Sequence, residues 1–90
     1  MKKDAEKLLQ EVNGWTLSED ARKISKQFKF KNYVQAMDFA KKITPIAESE
    51  GHHPDLSIGW GRVGVELSTH AIAGLSENDF ILAAKIDKIS

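Results

Sequence analysis

The stretch Asp55–Ser68, DLSIGWGRVGVELS, leaves the chain little freedom. Glycines stand at 59, 61 and 64, and apolar residues alternate with polar or small ones on both sides of Trp60-Gly61. Glycine supplies the backbone freedom of a tight turn, and alternation marks a strand with one buried face. With Trp60-Gly61 as a two-residue loop, Gly59 faces Arg62, Ile58 faces Val63 and Leu56 faces Val65. Leu56, Ile58, Val63, Val65 and Leu67 then share one face, so the register supports itself. Continued outward, the same pairing sets Pro54 opposite Leu67, His53 opposite Ser68 and Gly51 opposite His70.

That register has a chemical consequence. The three histidines of the chain, His52, His53 and His70, all fall at the open end of the hairpin. Gly51 opposite His70 carries no side chain and leaves space for a small molecule. His53 and His70 are expected on the face opposite the apolar one. Imidazoles on a rigid support can give and take protons near neutral pH.

The rest of the chain supplies partners for the hairpin. Asp4 to Val12 reads as a short amphipathic helix, with Ala5, Leu8, Leu9 and Val12 on one side and Asn13-Gly14 ending it. Trp15-Thr16-Leu17 begins a strand, Ser18-Glu19-Asp20 turns, and Arg22 to Phe30 alternates with Ile24, Phe28 and Phe30 inward. Asn32 caps a longer helix with Gln35 in the capping-box position. Its inner stripe is Tyr33, Ala36, Met37, Ala40, Ile43 and Ala47, leaving Phe39 and Ile46 for a partner subunit. Pro45 predicts a kink or an early break, because it lacks an N–H and crowds the carbonyl of Lys41. Thr69 to Leu75 is a loop, and Ser76 caps a last helix. Helix, two strands, helix, two strands, helix favour an α+β fold: a four-stranded antiparallel sheet with three helices on one face.

Composition excludes several classes. Ninety residues with 41% hydrophobic and 29% charged side chains suit one soluble globular domain over residues 1–90. Thirteen basic residues balance thirteen acidic ones, which argues against direct nucleic-acid binding. With no cysteine, disulfides, thiolate metal sites and cysteine nucleophiles are out. No segment reads as a signal peptide or a membrane span, so the cytoplasm is the expected compartment.

One pattern gathers the chemistry-bearing residues. It runs Glu48, three residues, His52-His53-Pro54, five residues, Trp60, nine residues, His70, and after eight more Asp79. It resembles the signature of the pterin-4a-carbinolamine dehydratases, also described as dimerisation cofactors of a homeodomain transcription factor. The flanks fit from about Trp15 onward. The resemblance implies the same α+β architecture and dehydration of 4a-hydroxytetrahydrobiopterin to quinonoid dihydropterin in pterin recycling. It also implies assembly as a homodimer or homotetramer, with no metal, nucleotide or flavin cofactor.

Under that resemblance His52, His53 and His70 are the catalytic candidates. His52 is expected to be the main acid/base group, with the other two sharing a second proton transfer and positioning. Glu48, Asp79, Trp60 and Trp15 are the substrate-binding candidates. Glu48 is expected to orient one imidazole, Asp79 to orient His70 or bond the pterin, and the two indoles to supply apolar wall.

Each residue also has a plain structural reading. His-His-Pro is commonly a surface turn, Asp79 a capping-box acid three residues after Ser76, Trp60 a hairpin tip, Trp15 a core residue and Glu48 a solvated helix residue. Two other functions compete. Three histidines near a carboxylate suit zinc, but no His-Glu-x-x-His occurs, and neighbours on a strand point to opposite faces. A non-enzymatic dimerisation partner is the other, and it has no need of histidines at this spacing.

A strand edge sets the expectation for assembly. Arg22 to Phe30 carries lysines suited to a guarded edge, whereas Arg62 to Ser68 has few such devices and a glycine at 64. A homodimer joined through that hairpin edge is therefore expected, with Phe39 and Ile46 pairing dimers into a tetramer.

Overall fold

The computed structural model describes residues 7–90, the side chain of His70 excepted. Helical residues 7–9 (α1) lead to β1, Thr16–Leu17, and β2, Ile24–Lys29. Then come helix α2, Tyr33–Glu50, the hairpin β3, Asp55–Gly59, and β4, Arg62–Leu67, and finally α3, Glu77–Ile89. Asp4, Ala5 and Glu6 of the expected first helix lie outside the described residues. After Leu9 the chain tightens, with Glu11 N–H donating to Leu8 and Val12 N–H to Leu9, each three residues back.

The four strands form one antiparallel sheet in the order β1-β2-β4-β3. Gly59 faces Arg62, Ile58 faces Val63 and Leu56 faces Val65, as the two-residue turn requires. Gly61 takes φ +71, where a Cβ would meet the Phe30 carbonyl at 3.0 Å, so this turn position needs glycine.

The ladder stops short of the histidines. Its last pair is Asp55 with Glu66, and Pro54, His53 and Gly51 have no strand partners. The reason lies in α2, which runs to Glu50 and spends Gly51 on its own C-cap at φ 63. A glycine already closing a helix cannot also extend a strand.

Strand order overturns the expected edges. β4 is paired with β2 on one side and β3 on the other, so neither Arg62–Leu67 nor Ile24–Lys29 is an edge. The free edges belong to two-residue β1 and to β3, where Leu56 is 38% exposed.

The helices cover one face of the sheet. Ile24, Phe28, Val63, Val65 and Leu67 from the strands meet Phe39, Ile43, Phe80, Leu82 and Ile86 from the helices. Each such side chain contributes about 1.5–3 kcal/mol by leaving water. Phe39 is not left over for a partner. It is 3% exposed, with its ring 4.8 Å from Phe28 and 5.0 Å from Phe30. The expected stripe member Tyr33 is instead exposed, so the buried arc of α2 is rotated toward Phe39.

Asn32 caps α2, its Oδ1 accepting from Gln35 N–H at 2.9 Å, while Gln35 Oε1 accepts from Lys31 one residue early. Pro45 does not end the helix, which passes through it without interruption. Lys41 and Pro45 are both exposed, so water can serve the carbonyl that the proline leaves unbonded.

A polar clamp closes the far side of the core. Trp15 Nε1–H donates to the Asp87 carboxylate at 3.0 Å, and Lys26 Nζ reaches the same group at 2.8 Å and the Asn13 carbonyl at 2.8 Å.

Candidate active site

The site forms where the C-terminal end of α2 meets the N-terminal end of α3. Gly51 N–H donates to the Glu48 carbonyl at 3.3 Å and His52 N–H to the Ala47 carbonyl at 3.2 Å. That pair of bonds, with Gly51 left-handed, is the Schellman closure of a helix. Its effect is to lock the backbone of His52 against the last turn, with Glu48 close by. Pro54 then keeps His53 extended. Lys85 on α3 pairs with Glu50, tying the two helices together beside the site.

From α3 comes Asp79, the third helical residue after the cap Ser76. Its carboxylate is 0% exposed and fully engaged. Oδ2 accepts from Ser76 N–H at 3.0 Å and from the Thr69 hydroxyl at 2.8 Å, while Oδ1 lies 2.5 Å from His52 Nε2. The partial positive charge of a helix N-terminus favours a carboxylate in this position. The N–H and O–H that converge on Oδ2 match an ionised acid, which only accepts. The His52 nitrogen facing it is then the donor, and Nδ1 has no partner among the described residues. The His52 side chain is 14% exposed, enough to meet a ligand from one side.

His53 makes a second carboxylate pair, with Nε2 2.5 Å from Glu48 Oε2, but both partners are largely solvated. Such a pair adds little stability, so its effect is orientation.

Asp79 thus pairs with His52, a contact not foreseen in the sequence, where either His70 or the pterin was the expected partner. His70 opens a one-turn 3₁₀ helix, His70–Ile72, and its side chain lies outside the described residues.

The two tryptophans are elsewhere. Trp60 is 74% exposed at the turn end of the hairpin, opposite to the end where His52 and His53 sit. Trp15 is buried in the core and committed to Asp87. Thr69 and Ser76 hydroxyls were not singled out in the sequence, although Ser76-x-x-Asp79 was visible as a capping box. A groove of about 580 Å³ lies on the helix-free face of the sheet, lined by residues including Ser25, Gln27, Ser57 and Glu66. Neither His52 nor His53 lines it. Among the described residues no cluster of three or more His, Asp or Glu is arranged to hold a metal ion.

Residues 1–89 match the sequence profile of the family described as pterin 4 alpha carbinolamine dehydratase. The chain belongs to this family. A putative pterin-4-alpha-carbinolamine dehydratase of Methylococcus capsulatus is 52% identical over 87 residues, covering 97% of this chain and 76% of that one. The mitochondrial pterin-4-alpha-carbinolamine dehydratase 2 of Arabidopsis thaliana is 50% identical over 88 residues, covering 94% of this chain and 47% of its own length. Among solved structures, a transcriptional coactivator/pterin dehydratase from Brucella melitensis superposes with a TM-score of 0.92 at 30% identity, covering 99% of this chain and 95% of that one. The family makes the chain an enzyme of the hydro-lyase type, with a pterin as the fitting substrate class. Among the described residues no helix is long and apolar enough to cross a membrane.

Proposed function

We propose that the chain removes water from a 4a-hydroxytetrahydropterin to give the quinonoid dihydropterin, with His52 as the principal acid/base group working through Nδ1. The observation that carries this reading is the contact between His52 Nε2 and buried Asp79 Oδ1, in a chain that matches the dehydratase family along its length. The departing hydroxyl at C4a needs a proton as electron density from N5 expels it. A proton then leaves the pterin nitrogen system. An imidazole fixed at one nitrogen and free at the other is suited to either transfer. His53, oriented by Glu48, stands ready as a second donor or as a hydrogen-bonding group for the pterin, and His70 completes the proposed set.

The test is direct. The protein is mixed with chemically prepared 4a-hydroxytetrahydropterin and dehydration is followed by absorbance. Replacing His52 with Ala should slow the reaction roughly a hundredfold or more. Wild-type protein no faster than buffer would overturn the dehydratase reading. Activity within a few-fold of wild type in His52→Ala would remove His52 from its role, and a chelator-sensitive rate restored by zinc would redirect it toward metal chemistry.

Assembly belongs to the same proposal. The β3 edge, short and topped by exposed Leu56, is the place where a second copy would extend the sheet. Light scattering should then give a homodimer or larger, and Leu56→Lys should weaken it. A 10 kDa species at micromolar concentration would exclude this contact. A role as a protein partner is the second reading, favoured by the coactivator description of the Brucella relative.

A further inference from the structure

The side chain of Thr69 has a part at this junction that capping and burial do not account for. Its backbone closes the short loop carrying His70: Thr69 N–H donates to the Gly74 carbonyl at 2.6 Å, and Gly74 N–H returns a bond at 3.3 Å. Its hydroxyl turns to the helix junction, donating to Asp79 Oδ2 at 2.8 Å with Ser76 Oγ also 2.8 Å away. A hydroxyl has one proton to give. Given to the carboxylate, it leaves Thr69 Oγ1 as the acceptor, so Ser76 O–H is the donor between them. The bonds then run in one direction, Ser76 to Thr69 to Asp79, and Asp79 receives Nε2–H of His52 from the other side. Hydrogen bonds arranged in this way polarise one another, and the low dielectric of a sealed site strengthens the effect.

An ordinary capping-box acid needs only the N–H of its cap residue, and Asp79 has that from Ser76 at 3.0 Å. The Thr69 bond is the addition. It holds the carboxylate about its Cβ–Cγ axis, so that Oδ1 stays aimed at the imidazole. We propose that Thr69 is a positioning residue for His52, its hydroxyl pinning Asp79 so that Nε2 keeps the proton and Nδ1 remains the working nitrogen. This rests on the dehydratase reading of His52 given above. Thr69 thereby serves both halves of the proposed site: its backbone shapes the loop bearing His70, and its side chain governs the tautomer of His52.

Two substitutions separate hydroxyl from shape. Thr69→Val keeps the branched outline and the backbone bonds but removes the hydroxyl, and Thr69→Ser keeps the hydroxyl. On the full chain, kcat for carbinolamine dehydration should fall roughly 10- to 100-fold in Thr69→Val, with KM within about threefold of wild type. Thr69→Ser should stay within about threefold of wild type in both. The ring ¹⁵N resonances of His52 should report a protonated Nε2 in wild type and Thr69→Ser, and a mixture of tautomers in Thr69→Val. Wild-type kcat and wild-type ring signals in Thr69→Val would overturn the proposal, and so would a Thr69→Ser variant as damaged as the valine one. If valine prevents folding, Thr69→Ala makes the same comparison without added bulk. The ring signals require no substrate. A chain that fails to dehydrate pterin yet shows Thr69-dependent tautomers would sink the dehydratase reading and leave the positioning role standing.

Discussion

Asp79→Asn separates the charge of the carboxylate from its shape. The carboxylate meets donors on both oxygens: Ser76 N–H and Thr69 O–H at Oδ2, and His52 at Oδ1. An asparagine has one accepting oxygen and one donating NH₂. Its best placement leaves the oxygen where two donors converge and turns the NH₂ toward His52. The imidazole must then accept at Nε2 and carry its proton on Nδ1, the opposite tautomer. All three bonds lose their charge assistance while each group keeps a partner, so the loss of stability is about 1–2 kcal/mol. For a domain this small, that lowers Tm by roughly 4–16 °C. Activity should suffer far more. In the Ser-His-Asp triad the equivalent change of tautomer costs about 10⁴ in kcat, and a fall of at least about 10² is expected here. Calorimetry gives the first quantity, absorbance-monitored dehydration the second, and ¹⁵N spectra of the ring the tautomer itself. A folded Asp79→Asn protein with activity within a few-fold of wild type would refute the reasoning, because the working nitrogen would then not depend on the carboxylate.

Other outcomes follow from the same contacts. Phe39→Ala should cost about 3–5 kcal/mol in a urea titration, because the ring is buried between Phe28 and Phe30, and loss of assembly without loss of stability would contradict this placement. Asp87→Ala strands Trp15 Nε1–H and leaves Lys26 Nζ only the Asn13 carbonyl, so a loss of about 1–3 kcal/mol is expected on thermal unfolding, with a shift in tryptophan emission. The Ser18 hydroxyl, followed by the Arg22 backbone N–H, holds the Asp20 carboxyl below its ordinary value of 3.8. The stabilisation from that turn is therefore complete above this value and is lost as pH falls through the lower folded-state one. NMR titration of Ser18→Ala should show Asp20 moving back up.

Sequence reading succeeded where the deciding contacts were local. Trp60-Gly61 with alternation on both sides determined the β3–β4 register, and Asn32 marked the start of α2 because a cap is decided within four residues. It failed at Gly51, where strand and helix both had a claim and the helix closure prevailed. Strand order was also beyond it. Alternation in Arg62–Leu67 says which face is buried but not which neighbours lie beside it, and β2 arrives there from across α2. Phe39 was misplaced because the stripe was centred on Tyr33, while Phe28 of β2 and Phe30 just beyond it drew the helix round. The dehydratase pattern supplied the candidates, His52 and Asp79 among them. Their direct contact required two helix ends to meet, which spacing alone does not reveal.

The clamp on Asp87 also bears on how the chain is made. Its bonds to Trp15 and Lys26 span 72 and 61 residues. At a synthesis rate of about 5–20 residues per second, several seconds separate the appearance of the indole from that of its acceptor. During that interval the segment around Asn13 and Trp15 can already fasten to β2, through Lys26 Nζ and the ring of Phe28, but the indole N–H has no acceptor. Asp87 therefore closes the clamp last: the indole N–H, set in place early, waits for a carboxylate made 72 residues later.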